Sequence, residues 1–177
     1  MNETAAGALQ FVIREEAAGD ADAIEALTRA AFRDHPFSSQ TEHLILRGLR
    51  AEAALKLSLV AVAGDAVLGH LALSPVRIDA RATDWWGLGP LAVLPSHQRR
   101  GIGAALVRSA LRRMREAGLG GCVVLGDPDY YRRFGFAPRP GLIYPGPPPA
   151  HFMALALSAA PPPIGEVTYH PAFALPP

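Results

Sequence analysis

The feature that most constrains this chain is a basic, glycine-containing turn between a strand-like and a helix-like segment. An apolar run over 91–95 leads into Gln98-Arg99-Arg100-Gly101-Ile102-Gly103, and a helix rich in Ala and Arg is predicted to follow. The first N–H groups of a helix lack partners within the helix, and the helix dipole is positive there. Glycine lets an anion approach the backbone, and arginine can bind phosphate through two hydrogen bonds. The turn therefore predicts a site for a phosphate-bearing ligand.

A second motif follows further along the chain. Residues 123–136 read VVLGDPDYYRRFGF, which predicts a buried strand, a short helix and a closing Gly-Phe turn. Together with the basic turn, this motif resembles the GNAT superfamily of N-acetyltransferases. The pyrophosphate loop of that family reads Gln/Arg-x-x-Gly-x-Gly/Ala after a strand that ends near a proline. Because the two motifs stand in the family's order, their pairing is much more specific than either motif alone.

The resemblance implies an α+β fold built on a mixed α/β sheet. The sheet would be mostly antiparallel, with about seven strands and about four flanking helices. Its fourth and fifth strands would splay apart, and acetyl-CoA would lie between them. A chain of 177 residues has the length of one domain, so residues 1–177 are predicted to form a single domain of this type.

The same resemblance assigns the residues that would hold acetyl-CoA. An amide-bearing arm can fill an open sheet edge like an added strand, so the main chain over 91–93 would pair with the pantetheine arm. The side chains of those residues are expected to belong to the core. The predicted cofactor-binding residues are Leu91, Ala92, Val93, Gln98, Arg99, Arg100, Gly101, Ile102, Gly103 and Ala104.

The implied reaction is direct attack of a primary amine on the thioester in a ternary complex. A lysine-like amine has a pKa near 10.4, so a base or a desolvating pocket must supply about 4–5 kcal/mol at pH 7. Members of the family often place a glutamate on the fourth strand, but residues 85–91 hold no carboxylate here. Asp84, His70 and His97 are therefore the candidate bases. Each is equally interpreted as an ordinary turn, strand or loop residue.

Tyr131 is predicted to be the catalytic residue that assists the departing thiolate. It stands four residues before Gly135, where the family carries its tyrosine acid. A tyrosine near pKa 10 would protonate a thiolate near 8.5 uphill by about 2 kcal/mol, so it is expected to donate a hydrogen bond unless its own pKa is lowered. Tyr130 points about 100° away on a helix and is expected to pack the short helix against the sheet. Asp127 is expected to cap that helix, with Pro128 at its first position.

The acceptor is predicted to be a small-molecule or peptide amine that lies opposite the thioester. Four aromatic residues are candidates for an apolar acceptor pocket, and equally for the core: Phe37, Trp85, Trp86 and Phe152. The sequence does not separate a small amine from a protein N-terminus or a lysine.

Composition narrows the class of protein. A net charge of +1 gives no drive toward nucleic acid or anionic membranes, and neither is predicted as a partner. The N-terminus lacks a signal-peptide pattern, and no apolar run reaches the roughly eighteen residues of a membrane span. A cytoplasmic location is therefore expected, and homodimer formation is left open. The six histidines lack metal-ligand spacing, so no metal is predicted.

Two other functions stay open at this point. One is transfer of a longer acyl group from acyl-CoA or from acyl carrier protein. In the second case, the arginine cluster over 99–115 would bind the acidic carrier protein. The other is a module that senses acyl-CoA without turnover, which the missing strand glutamate favours. The single cysteine, Cys122, suits a reducing compartment and lies in an apolar run. It is expected to be an inert buried thiol rather than a nucleophile.

Overall fold

The structure is a computed structural model that describes residues 9–36 and 38–174. Within these ranges the chain forms eight strands and four α-helices. The strands are β1 (Val12–Glu15), β2 (Leu57–Ala63), β3 (Ala66–Ile78), β4 (Arg81–Val93), β5 (Gly121–Leu125), β6 (Leu142–Ile143), β7 (Phe152–Ala156) and β8 (Gly165–Thr168). The helices are α1 (Ala21–Phe32), α2 (Glu42–Ala51), α3 (Ile102–Glu116) and α4 (Pro128–Tyr131). The two-residue strand β6 was not expected from the sequence.

The sheet is mixed, as the fold class requires. Its order is β1-β2-β3-β4-β5-β7, and β8 pairs with both β3 and β6. The pairs within the main path are antiparallel except β4–β5, which is parallel. The α+β class, the mostly antiparallel sheet and the four flanking helices are confirmed.

Local turn chemistry explains the long β3–β4 hairpin. Asp79 and Ala80 have φ values of 48° and 60°, and this left-handed pair closes a tight turn of the kind that matches the twist of the flanking strands. As a result, β4 begins at Arg81, four residues before Trp85, where the apolar pattern of the sequence predicts its start. Gly64-Asp65 is a turn signal in the sequence and predicts a hairpin there, and the β2–β3 hairpin does turn at Gly64, whose φ is 57°.

The helix starts agree with the sequence only in part. At α4, Asp127 Oδ1 accepts a hydrogen bond from the Asp129 N–H at 2.9 Å, which confirms the predicted cap. At α2, the preference of serine for cap positions predicts a cap at Ser38 or Ser39 from the sequence, but this prediction is wrong because the cap position is Thr41. The hydroxyl of Ser38 instead donates to Oε1 of Glu42 at 2.7 Å.

The two faces of the sheet carry different cores. The α3 side is a large aliphatic cluster built from β2–β5, β7 and α3, with Leu71, Leu106 and Met153 fully buried. The opposite side holds smaller clusters, in which α1 and α2 pack on β2 and β3, and the chain after β7 packs on β3–β5. Residue parity along β3 places Leu71 on the α3 side and Ala72 on the other.

The feature that positions the site is the separation of β4 from β5. Their pairing runs from Trp85–Gly121 to Leu88–Val124 and stops there. A register shift between β3 and β4 follows at Gly89-Pro90, and the rest of β4 pairs with β3 alone. Strand β5 meanwhile continues beside β7 up to Leu125. We call the gap beyond Leu88 the β4–β5 opening, and it corresponds to the expected splay of strands four and five.

Candidate active site

The main chain of β4 forms one wall of the opening. Leu91, Ala92 and Val93 pair with β3 on one side, whereas their pairing with β5 has already ended. Leu91 and Val93 pack against the α3-side core, and Ala92 is 2% exposed. Their side chains are therefore used in packing, and the backbone edge is what the strand offers to a ligand.

The basic turn continues from this strand into α3. Gly101 is the N-cap, and the Ala105 N–H donates to the Gly101 carbonyl at 2.9 Å. The N–H groups over 102–104 come before Ala105, the first residue whose N–H donates within the helix, so they have no acceptor in the helix. The side chains of Arg99 and Arg100 are exposed beside them. Three features that suit a phosphate therefore occur together: free backbone donors, two arginines and the positive end of a 15-residue helix.

The two glycines of the turn are needed for different reasons. Gly101 is left-handed, with φ at 84°, and a Cβ there would meet no atom within 4 Å. A Cβ at Gly103 would lie 2.6 Å from the hydroxyl oxygen of Tyr130. Packing of Tyr130 therefore already excludes a side chain at Gly103, a constraint that the sequence did not reveal.

The adjacent tyrosines point to different places. Tyr130 is half-buried, with its hydroxyl at the start of α3, and Arg133 lies over its ring at 4.5 Å. Tyr131 is 8% exposed and packs edge-on against Phe136, with ring centroids 5.8 Å apart. A Cβ at Gly126 would overlap the Tyr131 ring, which places that ring at the end of β5. Tyr130 thus faces the basic turn, whereas Tyr131 lies at the β5 wall of the opening.

Burial determines the chemistry of Tyr131. Its pKa is raised, first by burial and then by the neighbouring Tyr130, Cys122 and Asp127. A raised pKa keeps the phenol protonated at neutral pH and makes it a weaker acid. Tyr131 would transfer its proton readily only if its pKa were lowered, and the structure shows the opposite shift. Tyr131 is suited to donate a hydrogen bond.

The structure does not bring Asp84 or His97 to the point where β4 and β5 diverge. Asp84 precedes Leu88 by four residues, a distance of about 13 Å along a strand. Its carboxylate lies beside Gly120, at the other end of the β4–β5 pairing. His97 lies in the 3-10 turn after β4, with Nδ1 2.9 Å from the hydroxyl oxygen of Ser96. His97 is therefore next to the basic turn.

The third candidate base, His70, is sealed inside the sheet. It is fully buried opposite Ala92, on the face away from α3. Ser58 donates to Oε2 of Glu16, so Nε2 of His70 donates to the Ser58 hydroxyl oxygen at 2.8 Å. Arg50 binds the same Glu16 carboxylate through two hydrogen bonds. Burial lowers the pKa of His70 to about 4, so the ring is neutral and shielded from an acceptor.

Residues that the sequence analysis missed cover β4 on this same face. Gly87 lies opposite Ser74 of β3, one residue before the β4–β5 pairing ends. A Cβ at Gly87 would overlap the ring of Tyr169, and a Cβ at Gly89 would lie 4.0 Å from the ring of Phe173. Glycines in the interior of a strand often mark the close approach of another segment. That signal was present in Gly87 and Gly89, but it did not identify the segment that approaches.

The aromatic residues proposed for an acceptor pocket do not converge. Trp85 and Phe152 are 3% and 5% exposed and belong to one cluster on the face away from α3. Trp86 packs against the α3-side core instead. Phe37 lies outside the described residues. The structure therefore places Trp85 and Trp86 on opposite faces of the sheet.

Cys122 is buried in the α3-side core with no exposed surface. Burial raises its pKa strongly, which keeps the thiol protonated. Among the described residues, no group of three or more His, Cys, Asp or Glu side chains is arranged to hold a metal ion. No helix within 9–36 and 38–174 is long and apolar enough to cross a membrane.

Comparisons with known proteins agree with this geometry. Residues 21–136 match the Acetyltransferase (GNAT) family. Over 127 residues the chain is 37% identical to the uncharacterized N-acetyltransferase YhbS of Escherichia coli K12, which covers 71% of this chain and 73% of that protein.

Two solved structures resemble the whole chain. A GNAT family acetyltransferase from Brucella melitensis, in complex with acetyl-CoA, has a TM-score of 0.82 and 46% identity over 93% of this chain and 99% of that chain. Escherichia coli YhbS, in complex with CoA, has a TM-score of 0.87 and 33% identity over 98% of this chain and 97% of that chain. This chain belongs to the GNAT family of acetyltransferases.

Proposed function

We propose that this protein is an N-acetyltransferase that moves the acetyl group of acetyl-CoA to a primary amine in a ternary complex. The observation that carries the proposal is the β4–β5 opening, which runs from the start of α3 to the Tyr131 ring. The similar structures from Brucella melitensis and Escherichia coli hold acetyl-CoA and CoA, respectively, which supports a CoA-based donor here.

The donor would lie along the opening. The pyrophosphate binds the backbone donors over 102–104 and the arginines of the basic turn, with Gln98 at its edge. In the structure, Nε2 of Gln98 donates to the Val93 carbonyl at 3.2 Å, which joins the turn to the strand. The pantetheine arm pairs with the free edge over 91–93 and brings the thioester toward Leu88.

The chemical step is attack of the neutral amine nitrogen on the thioester carbonyl carbon. The new C–N bond forms, the C–S bond breaks, and CoA leaves as a thiolate. Tyr131 donates a hydrogen bond to the sulfur as charge develops there, and the amide nitrogen gives its extra proton to water. Because this interaction strengthens only as the thiolate forms, it lowers the activation barrier and leaves the affinity for acetyl-CoA unchanged.

Release of CoA from acetyl-CoA, measured with a panel of amines and N-terminal peptides, tests the proposal. Amine-dependent release, with formation of the acetylated amine, is expected. Tight binding of acetyl-CoA without release for any amine would contradict the proposal and favour the sensor. Faster turnover of longer acyl-CoA, or of acyl carrier protein, would assign the longer-chain transferase instead.

A further inference from the structure

Two buried hydroxyl groups, each next to Gly87, lie beside the β4–β5 opening without hydrogen-bond partners among the described residues. Ser74 of β3 lies directly opposite Gly87 of β4. The ring of Tyr169 fills the space above Gly87 that a side chain would occupy. Among the residues the structure describes, neither Oγ of Ser74 nor Oη of Tyr169 has a hydrogen-bond partner, and both atoms are shielded from solvent. Leu88, the next residue of β4, is the last to pair with β5.

Such an arrangement is costly unless a ligand completes it. A buried hydroxyl without a partner destabilises a fold by about 1–3 kcal/mol, so buried polar groups are nearly always paired. Two unpaired hydroxyls beside the same strand residue therefore indicate a place where a polar group can bind. The place is the side of the sheet opposite Tyr131, where an amine would approach a thioester held in the opening.

The aromatic and thiol neighbours of Tyr169 are uncharged at neutral pH. The ring centroid of Tyr169 is 5.2 Å from that of Tyr144 and 4.9 Å from that of Phe173. Burial raises the pKa of Tyr169, and Cys122, Tyr144 and Tyr131 raise it further, so all these titratable neighbours are protonated and neutral.

The carboxylates near these hydroxyls have other partners or face solvent. Asp79 Oδ1 accepts a hydrogen bond from the Glu166 N–H at 2.8 Å, and the Glu166 side chain is exposed. Glu16 is bound by Arg50 and Ser58.

Glu52 lies 3.4 Å from Nε2 of His170, the residue after Tyr169. Asp84 lies at Gly120, away from the opening. Strand β4 itself carries no carboxylate between Trp85 and Val93. A pair of neutral hydroxyls can bind a neutral amine, whereas a buried ammonium without a carboxylate is strongly disfavoured.

Building on the proposed function, we infer that Tyr169 and Ser74 position the acceptor and select a weakly basic amine, one substantially neutral at pH 7. An α-amine, with a pKa near 7.7–8.0, is about 10–20% neutral at pH 7, whereas only about one lysine ε-amine in two thousand is neutral. Selection by protonation state replaces the base that β4 lacks. Peptide N-termini and aryl amines share this chemistry, and lysine-like amines do not.

Two lysine derivatives with one free amine each separate the classes on a matched skeleton. Nε-acetyl-lysinamide presents only the α-amine, and Nα-acetyl-lysinamide only the ε-amine. The C-terminal amide keeps the pKa of the α-amine near that of a peptide N-terminus. We expect kcat/KM at pH 7 to be at least about tenfold higher for the α-amine probe. An aniline derivative, tested beside them, distinguishes an aryl acceptor from a peptide N-terminus.

The Tyr169→Phe variant tests the hydroxyl directly. It should lower kcat/KM for the accepted amine by about 10- to 100-fold, while the Kd for acetyl-CoA stays unchanged. Its Tm should be equal to or higher than that of the wild type, because the variant removes a buried hydroxyl that has no partner. A residue with only a structural role would not show loss of turnover together with retained stability. Tyr144→Phe is the matched control and should change kcat/KM less than about threefold.

Preference for the ε-amine probe, or wild-type kcat/KM in Tyr169→Phe, would overturn this inference and leave the acetyltransferase proposal standing. Absence of CoA release with every amine, including aniline derivatives, would end both.

Discussion

The two sides of the sheet at the β4–β5 opening differ in the kind of residue they bury. The α3 side is mainly aliphatic, and its buried cluster includes Tyr131 and Cys122, both of which burial keeps protonated. The other side buries His70, Ser74 and Tyr169, each with one polar atom that lacks a partner among the described residues. The apolar, closely packed side suits the proposed donor, acetyl-CoA, because its binding would depend on main-chain hydrogen bonds and on the helix dipole. The polar side suits an acceptor that must be recognised by hydrogen bonds.

The difference also shows which parts of such a site leave a local mark on the sequence. The proposed donor side is built from two short motifs, because a strand edge and a helix start are local structures. The proposed acceptor side joins β3, β4 and the chain at 169–173, which are far apart in sequence. The following experiments test whether the two sides carry the roles assigned to them.

The largest effect is expected on the α3 side, at Tyr131. Tyr131→Phe should lower kcat by about 10- to 1,000-fold and change KM for acetyl-CoA little, because the hydroxyl acts only as charge develops on sulfur. The ring contacts of this 8%-exposed residue are retained in phenylalanine. Turnover measured with an accepted amine at several pH values checks the prediction.

Tyr130→Phe is the control for that experiment. Its hydroxyl faces Gly103 and the basic turn, so its loss should affect acetyl-CoA binding more than kcat. If Tyr130→Phe loses kcat and Tyr131→Phe does not, the roles of the two tyrosines are reversed. If neither variant changes kcat, solvent protonates the sulfur.

On the opposite side, His70 should make stability depend on pH. Its pKa is about 4 in the folded protein, against an ordinary value of 6.5. Between these values the unfolded chain binds a proton that the folded chain does not, so stability falls as pH decreases from 6.5 toward 4. The loss is on the order of 3 kcal/mol, measurable by denaturant unfolding at a series of pH values.

His70→Gln keeps a donor for the Ser58 hydroxyl and removes the titration. Burial also lowers the pKa of His43, so His43 makes stability depend on pH in the same direction as His70. The effect of His70 is therefore obtained by comparing the pH curves of the wild type and of His70→Gln. The wild type should lose more stability than His70→Gln over this range. Parallel pH curves would show that His70 is not the neutral buried ring described above.

The smallest effect is expected at Cys122. Cys122→Ala should keep most of the turnover, because the thiol is fully buried and direct transfer forms no acyl-enzyme. Stability should fall by about 1 kcal/mol from lost packing. An acetyl group trapped on Cys122 after reaction with labelled acetyl-CoA would contradict the direct mechanism.

Much of the fold could be predicted from local patterns. The hairpin at Gly64, the helix over 102–116 and the Asp127 cap each follow from short-range rules of turns, periodicity and capping. The cap of α2 was wrong because Ser38 found a different partner in Glu42. The strand β6 was missed because its two residues are held by pairing with β8, a contact that the local sequence does not encode.

The candidate site divides in the same way. The basic turn and Tyr131 lie in motifs and could be predicted. Tyr169 could not, because its relation to Gly87 exists only after the last strands fold over the sheet. His70 was proposed as a base from its residue type, since the sequence does not show that it is fully buried.

The central claim is that the opening and the start of α3 bind acetyl-CoA through its pyrophosphate. Titration calorimetry with acetyl-CoA and with S-acetylpantetheine, which lacks the pyrophosphate and the nucleotide, tests it most directly when both the wild type and Gly101→Ala are measured. The added Cβ would point into open space, and strain at a φ of 84° affects both ligands alike. The wild type should bind acetyl-CoA about 100-fold more tightly than S-acetylpantetheine, and Gly101→Ala should weaken acetyl-CoA binding about tenfold more than it weakens S-acetylpantetheine binding. Equal affinities in the wild type, or equal losses in the variant, would contradict the account.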